Sequence, residues 1–173
     1  AEEHAVALAS GLALGGKKPV VCIYSTFMQR AFDQLVINNA LANTNVVFCL
    51  DRAGLVGDDG PTHHGVFDIA YGRMVPGVRM MAPSDEAELV HMLHTALAFE
   101  GPVILRWPRG EARGVELPAA PQVLEEGKSR TTREGSDVAI LAFGRMVQEA
   151  EGAADILAKE GISVRVVDMR WVK

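Results

Sequence analysis

A mostly parallel sheet with helices on both faces is the fold class this 173-residue sequence predicts. Three observations carry it. Short continuous apolar runs (Val20–Ile23, Val46–Leu50, Val78–Ala82 and Val103–Leu105) have the pattern of strands covered on both sides. Stretches with helical spacing separate them, as crossovers between parallel strands require. Polar residues also gather just after several runs, where open parallel sheets bind ligands.

Taken in order, Ala5–Ala9 opens a helix rich in small residues that should stop near Gly15-Gly16, with Lys17 and Lys18 at its negative end. Tyr24–Phe27 closes the first strand, and Met28–Leu41 reads as a helix. The loop Asp51–Gly65, DRAGLVGDDGPTHHG, follows the second strand. Glycine there lets backbone approach a ligand, and proline fixes the turn. Val66–Arg73 is a short helix or irregular segment before the turn at Pro76-Gly77. Ser84 is placed to cap a helix running to Phe99, which Gly101-Pro102 ends.

Between Glu111 and Gly135 the prolines, glycines and scattered charges read as a linker holding one short strand. Strand, helix and strand then follow over Asp137–Phe143, Met146–Glu160 and Ile162–Met169, a single βαβ unit. The chain thus divides into 1–110, a linker 111–135, and the start of a second α/β domain at 136–173. The opening Ala1-Glu2-Glu3-His4 runs into its helix without a cap or turn. Both ends are therefore expected to be cuts in a longer protein.

The composition is that of an ordinary soluble domain, with 49% hydrophobic and 23% charged residues. A net charge of -5 gives no reason to expect nucleic acid or an anionic membrane as partner. No apolar run approaches the roughly 18 residues of a transmembrane helix, and Glu2 and Glu3 stand where a secretory signal would be basic. Cys22 and Cys49, both within apolar runs, read as buried free thiols of a cytoplasmic protein.

Candidate site residues fall after three strands: Tyr24, Ser25, Phe27 and Arg30; then Arg52, Asp59 and His63; then Arg106 and Arg109. Arg52 and Arg109 could be surface ion-pair partners, which usually matter little; two arginines at neighbouring strand ends are better suited to a forked grip on phosphate. No phosphate-binding glycine fingerprint occurs in its strand–helix context. No metal motif does either: His63 and His64 are neighbours, and His91 and His94 fit a solvated helix face.

AEEHAV, YSTFMQRAFDQ, DRAGLVGDDGPTHHGVFD, MAPSDEAEL and RWPRG, in this order and spacing through Gly110, resemble the 1-deoxy-D-xylulose-5-phosphate synthase family of the transketolase superfamily. Less specifically, Ser136–Lys173 resembles the start of the superfamily's C-terminal domain. The resemblance implies a thiamine-diphosphate enzyme that condenses pyruvate with D-glyceraldehyde 3-phosphate and releases CO2, supplying isoprenoid, thiamine and pyridoxal precursors. It implies that Glu2 hydrogen-bonds the aminopyrimidine ring and promotes its imino tautomer. A carboxyl with that task should be buried, so that desolvation favours its protonated form. Phe27 would stack on the ring, with Tyr24 and Arg30 lining the site. Arg52 and Arg109 would hold the aldehyde's phosphate, while Asp59 and His63 would stand near the reacting carbons. Glu3, Met28 and Asp58 replace the glutamine, leucine and alanine associated with the family. Glu3 could raise the proton affinity of Glu2 if both face the site.

The superfamily's Gly-Asp-Gly metal and diphosphate motif is not matched by Gly57-Asp58-Asp59-Gly60, which lies in the GPTHHG loop. Mg2+ would be bound mainly by a preceding domain, so this chain alone should be inactive, and the intact enzyme should be a homodimer. Rival readings are the pyrimidine-binding part of a transketolase or of a 2-oxoacid dehydrogenase β subunit, or a non-catalytic assembly module. DRAG with GPTHHG argues against the first two.

Overall fold

The four apolar runs pair side by side in a computed structural model that describes residues 1–173. The strands are β1 (Val20–Tyr24), β2 (Val47–Asp51), β3 (Arg79–Met81) and β4 (Val103–Arg106), all parallel in the order β1-β2-β4-β3. Side chains alternate between faces. Ile23, Phe48, Leu50, Met80 and Ile104 pack with α1 (Glu2–Leu14), the segment after β1, and Tyr71 of the short helix α4 (Asp68–Met74). Val47, Cys49, Met81, Val103 and Leu105 pack under α5 (Glu86–Ala98).

The segment after β1 departs from the single helix expected over Met28–Leu41. It begins at Ser25 and passes through α2 (Ser25–Met28), a 3-10 turn (Gln29–Ala31), α3 (Phe32–Gln34) and a π-helical stretch (Leu35–Ala40). Asn39 supplies the reason. Fully buried, its side chain donates to the Gln34 carbonyl at 2.9 Å and accepts from Ser10 at 3.0 Å and Thr44 at 2.7 Å. Satisfying that buried amide widens the helix.

Three further expectations are corrected. Asp85, not Ser84, caps α5, its carboxylate accepting from the Glu88 amide at 2.8 Å; Ser84 instead donates to Asp168. Lys18 leaves the end of α1 and donates to the Leu97 carbonyl of α5. Cys22 is exposed, because strand order leaves β1 at the sheet edge beyond the cover of α5; Cys49 is buried.

The segment expected as a linker straps α5. Glu86 accepts from the Gly114 and Val115 amides, His91 Nδ1 from Gln122, and Thr95 Oγ1 from Leu124, whose side chain is buried in the α5 core. The strap ends in β5 (Arg130–Arg133), which pairs antiparallel with β7 (Val164–Asp168). β6 (Val138–Ala142) and α6 (Met146–Lys159) complete a βαβ unit in which β6 and β7 are parallel, so the second sheet is mixed, in the order β5-β7-β6.

Residues 170–173 then return to the first sheet. They pair antiparallel along β3: Ala82 donates to Arg170, Val172 to Met80, and Met80 to Lys173. At this junction Arg170 holds the buried Glu88 through two 2.8 Å bonds, and Arg130 reaches Glu88 at 3.1 Å and Asp168 at 3.6 Å. No helix is long and apolar enough to cross a membrane.

Candidate functional site

The carboxyl ends of β1, β2 and β4 converge, and the loop after β2 is the piece that must be held in place. It is a closed loop: Gly54 and Gly65 exchange backbone bonds at 2.7 and 2.9 Å, and the Val56 amide donates to His64 Nδ1 at 3.2 Å. Ala53 donates to the Trp107 carbonyl and Trp107 to Leu50, which ties the loop to the end of β4. Arg52 adopts a left-handed backbone, φ 54°, at the point where the chain leaves the strand. For a residue with a Cβ, that conformation costs about 1–2 kcal/mol.

The sequence candidates form a connected cluster. Tyr24 and Phe27 stack with centroids 5.4 Å apart and planes 15° apart. His63 meets the Phe27 ring edge-on at 5.3 Å, its Nδ1 2.9 Å from the Thr62 hydroxyl. The Arg30 guanidinium lies 4.8 Å over Phe27, and that of Arg52 4.3 Å over Tyr24. Arg30 also reaches Glu2 at 3.6 Å.

Asp59 bridges the two arginines, hydrogen-bonded to Arg52 and 3.5 Å from Arg109, which also donates to the Val56 carbonyl. Its hydrogen bond to Asp59 raises the Arg52 pKa, so the guanidinium stays charged. Arg106 is turned elsewhere, into a 2.6 Å bond with the buried Asp68.

A cavity of about 460 Å³ opens against Glu2, Ala5, Cys22, Ile23, Tyr24 and Phe27. Its lining is mostly apolar, with one carboxylate at the rim, which suits a flat heteroaromatic ring. Glu2 stands at the rim of this cavity. Its pKa is lowered, first by a hydrogen bond from its own backbone N–H and then by Arg30. Glu3 is not among those causes and stands half exposed.

Sequence reasoning missed Cys22 and Asp51 here, and named His64 in the loop without its partner. Cys22 walls the cavity. His64 accepts the loop bond described above. Asp51, at the end of β2, has its carboxyl raised by burial, with Arg52 opposing. The His64 and Asp51 positions were visible in the motif, but their partners depend on how the loop closes.

Residues 1–115 match the family "Transketolase, pyrimidine binding domain", and 127–173 match "Transketolase, C-terminal domain". The 1-deoxy-D-xylulose-5-phosphate synthase of Syntrophomonas wolfei is 54% identical over 172 residues, 99% of this chain and 27% of the relative. That of Magnetococcus marinus is 58% identical over 173 residues, 100% of this chain and 28% of the relative. The chain therefore spans little more than a quarter of the curated relatives it matches. Among solved structures, a split-gene transketolase described as an inactive β4 tetramer is 30% identical, with TM-score 0.83, covering 99% of this chain and 55% of that one. Campylobacter jejuni transketolase, 23% identical with TM-score 0.86 over 98% of this chain and 27% of that one, shares the fold.

Proposed function

This chain belongs to the transketolase pyrimidine-binding domain family, and from that premise we propose that it forms the ring-holding half of a thiamine-diphosphate site. The whole enzyme would be a 1-deoxy-D-xylulose-5-phosphate synthase, joining pyruvate to D-glyceraldehyde 3-phosphate with loss of CO2. The observation that carries this reading is the connected cluster running from Glu2 through Arg30, Phe27, Tyr24, Arg52 and Asp59 to Arg109, with His63 against Phe27.

The cavity fits an aminopyrimidine ring. Phe27 and Tyr24 offer it flat apolar surface, and Glu2 stands at the rim as hydrogen-bond partner. Bound there, the cofactor would supply a carbanion centre that takes up the two-carbon unit of pyruvate. The chain's own residues do the rest. Glu2 is held as a carboxylate; a ring covering it would strip away solvent and raise its proton affinity, so that it could share a proton with a ring nitrogen. Arg52 and Arg109 would grip the aldehyde's phosphate, which must displace Asp59 from between them. Asp59, so released, and His63 would face the hydroxyl and carbonyl groups, where protons are exchanged.

The diphosphate and Mg2+ would be held by residues supplied from outside this chain. Leu8, Leu12, Ile37 and Leu41 are exposed on α1 and after α3, apolar surface that supports a homodimer in the assembled enzyme. The likeness to a split-gene transketolase keeps a second reading in view, a transketolase-type chain that works when joined by its other half.

The experiment combines this chain with a family N-terminal half, cofactor, Mg2+ and both substrates. Deoxyxylulose phosphate should form, and Glu2→Gln should lower its rate by about 100-fold or more, the range of a lost acid–base group. Association of the halves without product would sink the reading, and product from sugar-phosphate donors instead of pyruvate would favour the transketolase type.

A further inference from the structure

Cys22 and Cys49 face each other across β1 and β2. They are register partners in a parallel pair, so both side chains leave the same face of the sheet. Neighbouring strands lie about 4.7–4.9 Å apart, inside the roughly 4.4–6.8 Å between Cα atoms that a disulfide spans. The two thiols differ in access. Cys22 is exposed on the edge strand, where α5 gives no cover, and Cys49 is buried behind it. Neither takes part in the polar cluster of the site.

We propose that Cys22 and Cys49 form a redox-active dithiol that exchanges with low-molecular-weight disulfides of the glutathione type. The Cys22 thiolate attacks one sulfur of the disulfide, whose S–S bond breaks; one thiolate leaves and takes up the proton Cys22 has lost. Cys49 then attacks Cys22 Sγ, releasing the second small thiol and closing a Cys22–Cys49 bond. Two cysteine thiols lose two electrons and two protons, and one small disulfide becomes two thiols.

The order of events follows from the surroundings. Burial, with Cys22 beside it, pushes the Cys49 thiol up to about 12, so Cys49 is a poor first attacker. Closure, not the first attack, is the slow step, and its rate should rise about tenfold per pH unit through neutral and mildly alkaline pH. A bond at the exposed edge of a sheet is open to attack by external thiols, so excess reduced glutathione should reopen it. Cys22 also walls the cavity beside Glu2 and Phe27.

The test needs no catalytic activity. The 173-residue chain is incubated with oxidised glutathione, quenched in acid, and read by intact mass and peptide mapping. The parent should pass through a glutathione adduct on Cys22 and end lighter by two hydrogens, with the Cys22 and Cys49 peptides cross-linked. Cys49→Ala should stop at the adduct. Cys22→Ala, a change at an exposed position that the fold tolerates, should leave Cys49 unmodified. A parent that stops at the adduct, stays unmodified, or forms dimers through Cys22 overturns the proposal.

Discussion

A Cβ built on Gly65 would overlap Ser25 Oγ and lie 2.7 Å from the Arg52 carbonyl, so Gly65→Ala must push the loop off the start of α2. Overpacking of this kind costs about 1–3 kcal/mol, and chemical denaturation should show a loss in that range. The same change should loosen the Arg52–Asp59–Arg109 bridge, since the loop carries Asp59. Asp59 also sets how the two arginines meet an anion. Asp59→Asn removes the charge that competes for them, and inorganic phosphate should then bind about tenfold tighter, a gain near 1.4 kcal/mol. Arg109→Ala should abolish that gain, and calorimetric titration of the three proteins would check both. The gathering of charged residues at strand ends was readable in the motif spacing. That a carboxylate from the same loop neutralises both arginines was not, because the bridge exists only once Gly54 and Gly65 close the loop.

At the level of elements, the strands were legible because continuous apolar runs leave little else for a buried sheet to be made of. The segment from Ser25 to Ala40 was not, since its π-helical stretch answers to Ser10 and Thr44, partners set by folding and remote from any local pattern. The strap over α5 was equally hidden, because most of its bonds come from backbone amides that every residue possesses. It is nevertheless titratable. The Glu86 carboxyl sits below its ordinary value, first through its own backbone N–H and then through the amides of Val115, Arg113 and Gly114. An acid whose pKa is depressed on folding contributes stability above the unfolded value of 4.5 and loses it as pH falls through the folded one. The amide resonances of Gly114 and Val115 should therefore shift together below pH 4.5, and Glu86→Gln should abolish that titration.

On the scale of the whole molecule, the two sheets are joined by charge and by backbone. Glu88 lies buried between Arg170 and Arg130. Glu88→Gln leaves Arg170 without its carboxylate and Arg130 with Asp168 alone, a change of the kind that costs about 3–5 kcal/mol. Hydrogen exchange in residues 130–168 should then outpace that of the first sheet, whereas in the parent the two should open together. The backbone joint has a consequence for synthesis. β4 lies between β2 and β3, so the first sheet cannot assemble until residue 106 has emerged. Even then the outer side of β3 stays unpaired until residues 170–173 arrive to cover it. A ribosome-bound chain passes through an interval in which Met80 and Met81 present a bare strand edge to other nascent chains. Variants shortened before Arg170 would prolong that interval without limit, and their expected fate is aggregation.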